Sequence, residues 1–238
     1  MNYSTRLIIG LLSLAAVACT SKSEEGPAPE NDYYPVPVVG TYRTYAVTDS
    51  TWRDNVPAVQ RFEFRERIAA SFTDAAGELA YQVVRSRRAT ATDNWQDDST
   101  LIVQPTAQTL LLTSNNRRTV ELVYPARVGY QWNRNAYNAL DTVVAKNRAY
   151  AQVGQPFSAT QNGQTYAFDR TVTTADEDQR NAYYLIVQRQ VYAWGTGLVY
   201  RFRRNFVYCD QSGSCVPRPT YIYRGFSRTE VLTATGAL

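Results

Sequence analysis

The 238-residue chain contains no histidine. That absence excludes the Ser-His-Asp and Cys-His arrangements of nucleophilic catalysis, and every zinc site built on an imidazole ligand. Cysteine is nearly as scarce: three residues cannot form a four-thiolate zinc or iron–sulfur site. The apolar run at residues 7–17 falls short of the about 20 residues that a membrane-crossing helix needs. From residue 38 onward no segment keeps a helical period over three turns, which argues against a helix-rich or Rossmann-type domain. The net charge is only +4, and the arginines are scattered one or two at a time instead of forming a basic stripe. No nucleic-acid partner is expected. The "GTG" at residues 195–197 is too short for a phosphate loop and no helix pattern follows it, so it reads as a turn.

What is present begins with an address. Arg6 precedes the apolar run, and Ala16, Val17 and Ala18 supply small residues ahead of Cys19, which is the pattern of a secretory signal over residues 1–18. A plain signal needs no cysteine there. "AVAC" resembles the lipobox of bacterial lipoprotein precursors, which implies that Cys19 takes a diacylglyceryl group and becomes an acylated N-terminus. Two or more acyl chains anchor a protein stably where one does not, so the expected partner is a membrane, reached through lipid at Cys19. Residues 19–37 hold four prolines and several acids and read as a disordered tether. The "SKSEE" after the cysteine is similar to export signals of Bacteroidetes-type lipoproteins. The expected location is the outer membrane, on its periplasmic or surface-exposed face.

Residues 38–238 are dominated by alternation. "RFEFRERI" puts Phe62, Phe64 and Ile68 on one side and Arg61, Glu63, Arg65 and Arg67 on the other, with Glu66 as the exception. "LVYRFRRNFVY" repeats the pattern, and an inward face of Leu198, Tyr200, Phe202 and Phe206 is expected, with Arg201 and Arg203 outward and Arg204 the exception. Other expected strands are 41–47, 79–87, 100–104, 109–113, 119–124, 165–173, 182–191 and 220–226. Turn residues separate them at Asp74 to Gly77, Asn115-Asn116, Asn162-Gly163, Asp176 to Asp178 and Gly195 to Gly197. The expected fold is all-β: a single antiparallel, closed or partly open (half-)barrel of about ten strands. Eighteen tyrosines and eight phenylalanines suit pleated surfaces. They read first as core and rim, with a hollow interior holding a small apolar or sugar-like ligand as the alternative.

Few constellations carry chemistry. Cys209 and Cys215 bracket a short loop and are expected to pair as a disulfide after export, worth about 2–3 kcal/mol. "TADED" matches no calcium-loop spacing and reads as a solvated hairpin tip. Glu63, Glu66, Glu121 and Asp169 lie in strands and are the carboxylates to inspect for glycoside hydrolysis, Glu66 and Asp169 first. No catalytic residue, cofactor or metal site is expected.

Three blocks, "DYYPVPVVGTYRTYAVTDSTW", "LVYPARVGYQWNRNAYN" and "VYAWGTGLVYRFRRNFVY", resemble in order a family of uncharacterised Bacteroidetes-type outer-membrane lipoproteins. The resemblance spans roughly residues 32–232 and departs at Arg134, Trp194 and Thr196. It implies location and fold, and no assigned reaction. "DST" at 49–51 and 98–100 and "DTV" at 141–143 resemble sites O-glycosylated in such exported proteins, which nominates Ser50, Ser99 and Thr142. The expected function is a non-enzymatic, lipid-anchored cell-envelope lipoprotein with a binding or structural role, possible partners being an envelope protein or the ligand named above. A half-barrel carrier of an apolar ligand is the alternative, and a carboxylate-based glycosidase the more remote one.

Overall fold

Alternating residues need one packed face and one wet face, and short turns with residues tolerant of positive φ let each strand double back on the last. The computed structural model describes residues 32–138, 144–209, 218 and 220–238. β1 (Thr41–Arg53) turns at Asp54 and Asn55, both at positive φ, into β2 (Val56–Thr73). β3 (Leu79–Arg88), β4 (Gln96–Pro105), β5 (Thr109–Ser114) and β6 (Arg117–Val123) continue this meander. The second half contains β7 (Gln131–Asn133), β8 (Asn147–Gln161), β9 (Gln164–Asp176), a short β10 (Gln179–Arg180), β11 (Tyr184–Ala193), β12 (Gly197–Val207) and β13 (Arg224–Ala237).

Every pairing is antiparallel, and the strands follow the order β6-β5-β4-β3-β2-β1-β13-β12-β11-β9-β8-β7, with β10 attached only to β11. The first strand therefore lies in the middle of the sheet beside the last. The sheet curls into a nearly closed barrel of twelve strands with one unsealed seam, where its two edges, β6 and β7, meet. No ladder joins those edges among the described residues. A backbone bond from Val120 N to Arg134 O (2.8 Å) crosses the gap, with the Trp132 indole donating to Val120 O (3.0 Å) and the Tyr150 hydroxyl to Val123 O (2.7 Å). Side chains thus bridge what strand pairing leaves open.

Inside the barrel, Tyr45, Val47, Phe62, Phe64, Ile68, Val83, Leu122, Tyr150 and Val172 form one continuous core. Glu66 shares the inward face of β2 with Phe62, Phe64 and Ile68, so the alternation holds through the residue that first looked like its exception. Arg61, Glu63, Arg65 and Arg67 point outward, a face suited to water. Tyr33 is also in the core, edge-on to Trp194 at 5.1 Å, and Tyr34 stacks under Arg43. The packed part of the chain thus already includes residues 33 and 34, ahead of Val38.

Two expectations are corrected. The first concerns β12. Its register places Arg201 opposite Glu230 and Arg203 opposite Arg228, and Arg201 and Arg203 both reach the wholly buried Glu230. The arginines are therefore inward and Phe202 outward. The reason lies in the β8–β9 hairpin. β9 pairs with β11 only from Thr171 to Ala175, so residues 155–170 run past the sheet edge and fold over the outer face of β12, β13 and β1. There Phe157 meets Tyr200 at 5.0 Å and Gln161 donates to Thr48 (2.6 Å). Both faces of β12 are covered, so an apolar outer face is no contradiction. The second correction concerns "TADED": Asp176 ends β9 buried and paired with Arg148 and is not a solvated tip, while Asp178 pairs with Arg189 at the surface (2.7 Å).

The strand expected at 220–226 begins only at Arg224 but runs on to Ala237.

Candidate functional site

Burying a carboxylate is costly unless a cation and further donors come with it. On the inward faces, Glu66 and Arg85 lie directly opposite across β2 and β3, and the Arg85 guanidinium is bonded to the Glu66 carboxylate. Glu230, wholly buried on β13, accepts from Arg203 (2.7 Å), Arg201 (2.8 Å) and Arg85 (3.4 Å), and Arg201 also lies 3.9 Å from Glu66. Three guanidiniums thus share two carboxylates, and among the described residues no third carboxylate pairs with them. This group carries one surplus positive charge.

A second group sits at the seam. Arg148, 2% exposed, binds Glu121 (2.6 Å), Asp176 and the amide oxygen of Gln190 (2.8 Å). Arg134 adds longer contacts to Glu121 and Asp176 (3.4 Å each) and donates to Gln188 (3.0 Å). Here two cations meet two anions and the charge closes. The Tyr192 hydroxyl, donating to Gln190 at 3.3 Å, links this group to the core.

Electrostatics fix the protonation states. Burial alone would push the Glu66, Glu121 and Glu230 carboxyls up, but the guanidiniums around each outweigh it and hold all three below the usual carboxylate range. Burial pushes the Tyr45 and Tyr192 phenols well above theirs, so both stay neutral. Arg203 is held below the ordinary arginine value, first by burial, then by Arg201, Arg85 and Arg228, against the pull of Glu230.

These groups border a cavity of about 380 Å³ at the end of the barrel where β5 turns into β6. Arginines 85, 117, 134, 189, 201, 203 and 228 line it, whereas Asp98 is the one carboxylate among its described lining residues. Phe64, Leu101 and Leu112 supply its apolar wall, and Phe202, between Arg201 and Arg203 on β12, borders it. Arg203 and Arg228 face each other across the β12–β13 ladder, an unfavourable placement for like charges. Each has a buried Nε without a hydrogen-bond partner, although Arg228 also binds Asp49. At the opposite end a hollow of about 390 Å³ lies under residues 35–38. Its charged lining is Arg43 and Glu66, and Arg43 is already committed to the Thr196 carbonyl (3.0 Å).

Comparison of the chain with protein-family models, with curated proteins and with solved structures finds no match to any of them. The site must be judged on its chemistry.

The residues nominated from sequence are dispersed. Cys19, Thr142 and Cys215 lie outside the described residues; Cys209 is buried and disulfide-bonded. Ser50 lies half-buried on β1, and Ser99 sits on the cavity wall with its hydroxyl 3.1 Å from Asp98. Glu63 is outside the barrel, paired with Arg88 (2.5 Å), and Asp169 is exposed on the hairpin arm. Glu66 and Glu121 are inside but belong to different ion-pair groups. A glycosidase pair needs one carboxyl that keeps its proton at working pH. The guanidiniums around Glu66, Glu121 and Glu230 hold these three ionised. Arg85, Arg148 and Glu230 are passed over in the sequence, Arg134 enters there only as a departure from the family block, and Arg201 and Arg203 are expected outward, though one signal points to all of the arginines: of 25 basic residues only Lys22 and Lys146 are lysine. Arginine is the cation suited to buried, multiply hydrogen-bonded pairing.

Proposed function

We propose that this protein is a non-enzymatic, lipid-anchored envelope lipoprotein of the Bacteroidetes type that binds a small molecule in the arginine-lined mouth of its barrel. The cavity carries the reading: it has the size of a small-molecule site, and ion pairs hold its polar walls in place before any ligand arrives. The side chains aimed into the barrel favour a polar ligand over an apolar one, which weighs against a carrier of acyl chains. The ionised state of Glu66, Glu121 and Glu230 weighs against carboxylate-based hydrolysis. The address rests on the lipobox at Cys19, the tether after it and the resemblance of the three blocks.

The test is a thermal-shift and ligand-observed NMR screen of the purified protein against a fractionated bacterial metabolite extract. A hit that raises the melting temperature, and no longer does so in Leu112→Trp, where an indole fills the cavity, supports the site. Hits equally strong in both proteins, or none in either, refute it. The address is tested by feeding cells a palmitate analogue: Cys19→Ser should take up no label and leave the membrane fraction, and a labelled, membrane-bound variant would refute it.

A further inference from the structure

The mouth has a charge problem that the fold does not solve by itself. Arg85, Arg201 and Arg203 hold three positive charges against Glu66 and Glu230, and the seam group, being neutral, offers nothing to spare. All three line the cavity, and the most exposed is Arg203, with 35% of its side chain accessible against 11% for Arg201 and 9% for Arg85. Directly across the ladder stands Arg228. Each of these two guanidiniums keeps a buried Nε–H with no acceptor. An N–H removed from water without an acceptor costs free energy, and a like-charged neighbour adds to that cost. Both side chains still present an exposed part to the cavity, 35% for Arg203 and 28% for Arg228, so one oxyanion seated between them would answer the repulsion and the surplus charge together without needing the buried Nε–H groups. Phe64, Leu101 and Leu112 beside the arginines would meet the body of such a molecule, and Ser99, Ser114 and Thr119 its hydroxyls.

We propose that the ligand of the mouth is a small organic anion whose carboxylate or phosphate group seats between Arg203 and Arg228. This rests on the reading of the mouth as a binding site and adds the class of ligand. Guanidinium presents planar paired donors to either oxyanion, so the two head groups share one recognition chemistry. The occupant is therefore an anionic metabolite within the cavity's roughly 380 Å³.

The experiment is calorimetric titration of the purified protein with citrate, with glucose 6-phosphate and with glucose, at low salt and at about 0.15 M, where exposed charges are largely screened. Citrate, glucose 6-phosphate or both should bind at either ionic strength, the choice between them naming the head group, and glucose should not. Arg203→Gln and Arg228→Gln should each weaken binding by about tenfold or more, as expected for loss of a charge-assisted hydrogen bond. Glu63→Gln on the outer face should change nothing.

A second variant reads the surplus charge without any added ligand. Gln188 faces Arg203 across the β11–β12 ladder and lines the same cavity. Gln188→Glu, of equal size, would supply the missing negative charge. It should raise the melting temperature in anion-free buffer and abolish the further rise that citrate or glucose 6-phosphate gives the unaltered protein. A lower melting temperature for Gln188→Glu, or anion binding untouched by Arg203→Gln and Arg228→Gln, would overturn the proposal. A neutral hit from the metabolite screen that Leu112→Trp abolishes, with neither anion binding, would overturn the ligand class and leave the mouth as the binding site.

Discussion

Replacing Glu230 with Gln tests the buried ion pairs at their centre. The side chain keeps its size and loses its charge. Glu230 is 0% exposed and accepts from Arg203, Arg201 and Arg85 within 3.4 Å. Gln leaves Glu66, which is bonded to Arg85 and lies 3.9 Å from Arg201, as the one carboxylate of the group, and raises the surplus from one charge to two. At an effective dielectric of about 20 a unit pair near 3–4 Å is worth about 4–5 kcal/mol before desolvation is subtracted. Removing one partner of a buried pair costs about 3–5 kcal/mol in practice, because the abandoned cations cannot return to water. With a urea slope of about 2 kcal/mol per molar, the unfolding midpoint should fall by about 2 M. Glu63→Gln supplies the control. Its pair with Arg88 is shorter, at 2.5 Å, but lies outside the barrel with side chains 27% and 21% exposed, so the loss should stay below about 1 kcal/mol. Urea melts followed by fluorescence of the four tryptophans measure both. A double variant, Glu230→Gln with Arg203→Gln, removes the anion and the surplus cation together, and should recover about 1–3 kcal/mol relative to additivity. Equal midpoints for Glu230→Gln and Glu63→Gln, or strict additivity in the double variant, would refute the reasoning.

Acid should destabilise the barrel with a defined sign. The Glu66, Glu121 and Glu230 carboxyls titrate lower in the folded protein than the about 4.3 of an unfolded chain, so the stability they contribute is complete above that value. It is lost as pH falls from there toward their folded values, because the unfolded state takes up protons first. With no histidine to titrate near neutrality, melting temperature should be nearly flat from about pH 6 to 8 and drop below about pH 4, and a melt unchanged at pH 3 would contradict the ion-pair assignment. The facing of the strands has its own test: Phe64→Ala removes a ring 3% exposed in the core and should cost about 3–5 kcal/mol. Phe202→Ala removes a partly exposed outer ring and should cost about 1 kcal/mol, so an equal or greater loss at Phe202 in urea melts would restore the opposite facing of β12.

Strands were legible where one face is wet. β2 shows it best, with Arg61, Glu63, Arg65 and Arg67 marking the outside and leaving only one way to turn the strand. β8 was illegible for a local reason: "NRAYAQVGQPFSATQ" contains Gly154 and Pro156, and its pairing with β9 slips at three places, each slip shifting which side chains share a face. β12 was legible as a strand and not as to facing. The residues that decide its facing lie far away in sequence, in the arm that covers its outer side and in Glu230, which draws Arg201 and Arg203 inward.

The mouth was hard to see for a related reason. Sequence patterning assigns charge to water, and that rule serves Glu63 and Arg65 well. It fails for Arg201 and Arg203, which a half-buried strand would turn outward, because what makes a buried charge tolerable is a partner on another strand. Glu66 and Glu121 were both among the carboxylates to inspect, Glu66 first, and "TVELVY" places Glu121 between Val120 and Leu122 on a strand whose two faces are both buried. The partners of Glu121, Arg134 and Arg148, stand 13 and 27 positions further on, brought beside it only when the sheet curls and β6 meets β7. The seam and the ion pairs therefore arise from one event. Closing the barrel without a ladder leaves a strip where side chains must do the joining, and an ionised side chain is retained in that strip only if the opposite charge arrives with it. At the seam the charges balance. In the neighbouring group they do not, and the surplus is held at Arg203, on the wall of the cavity, where a charge from outside the chain can reach it.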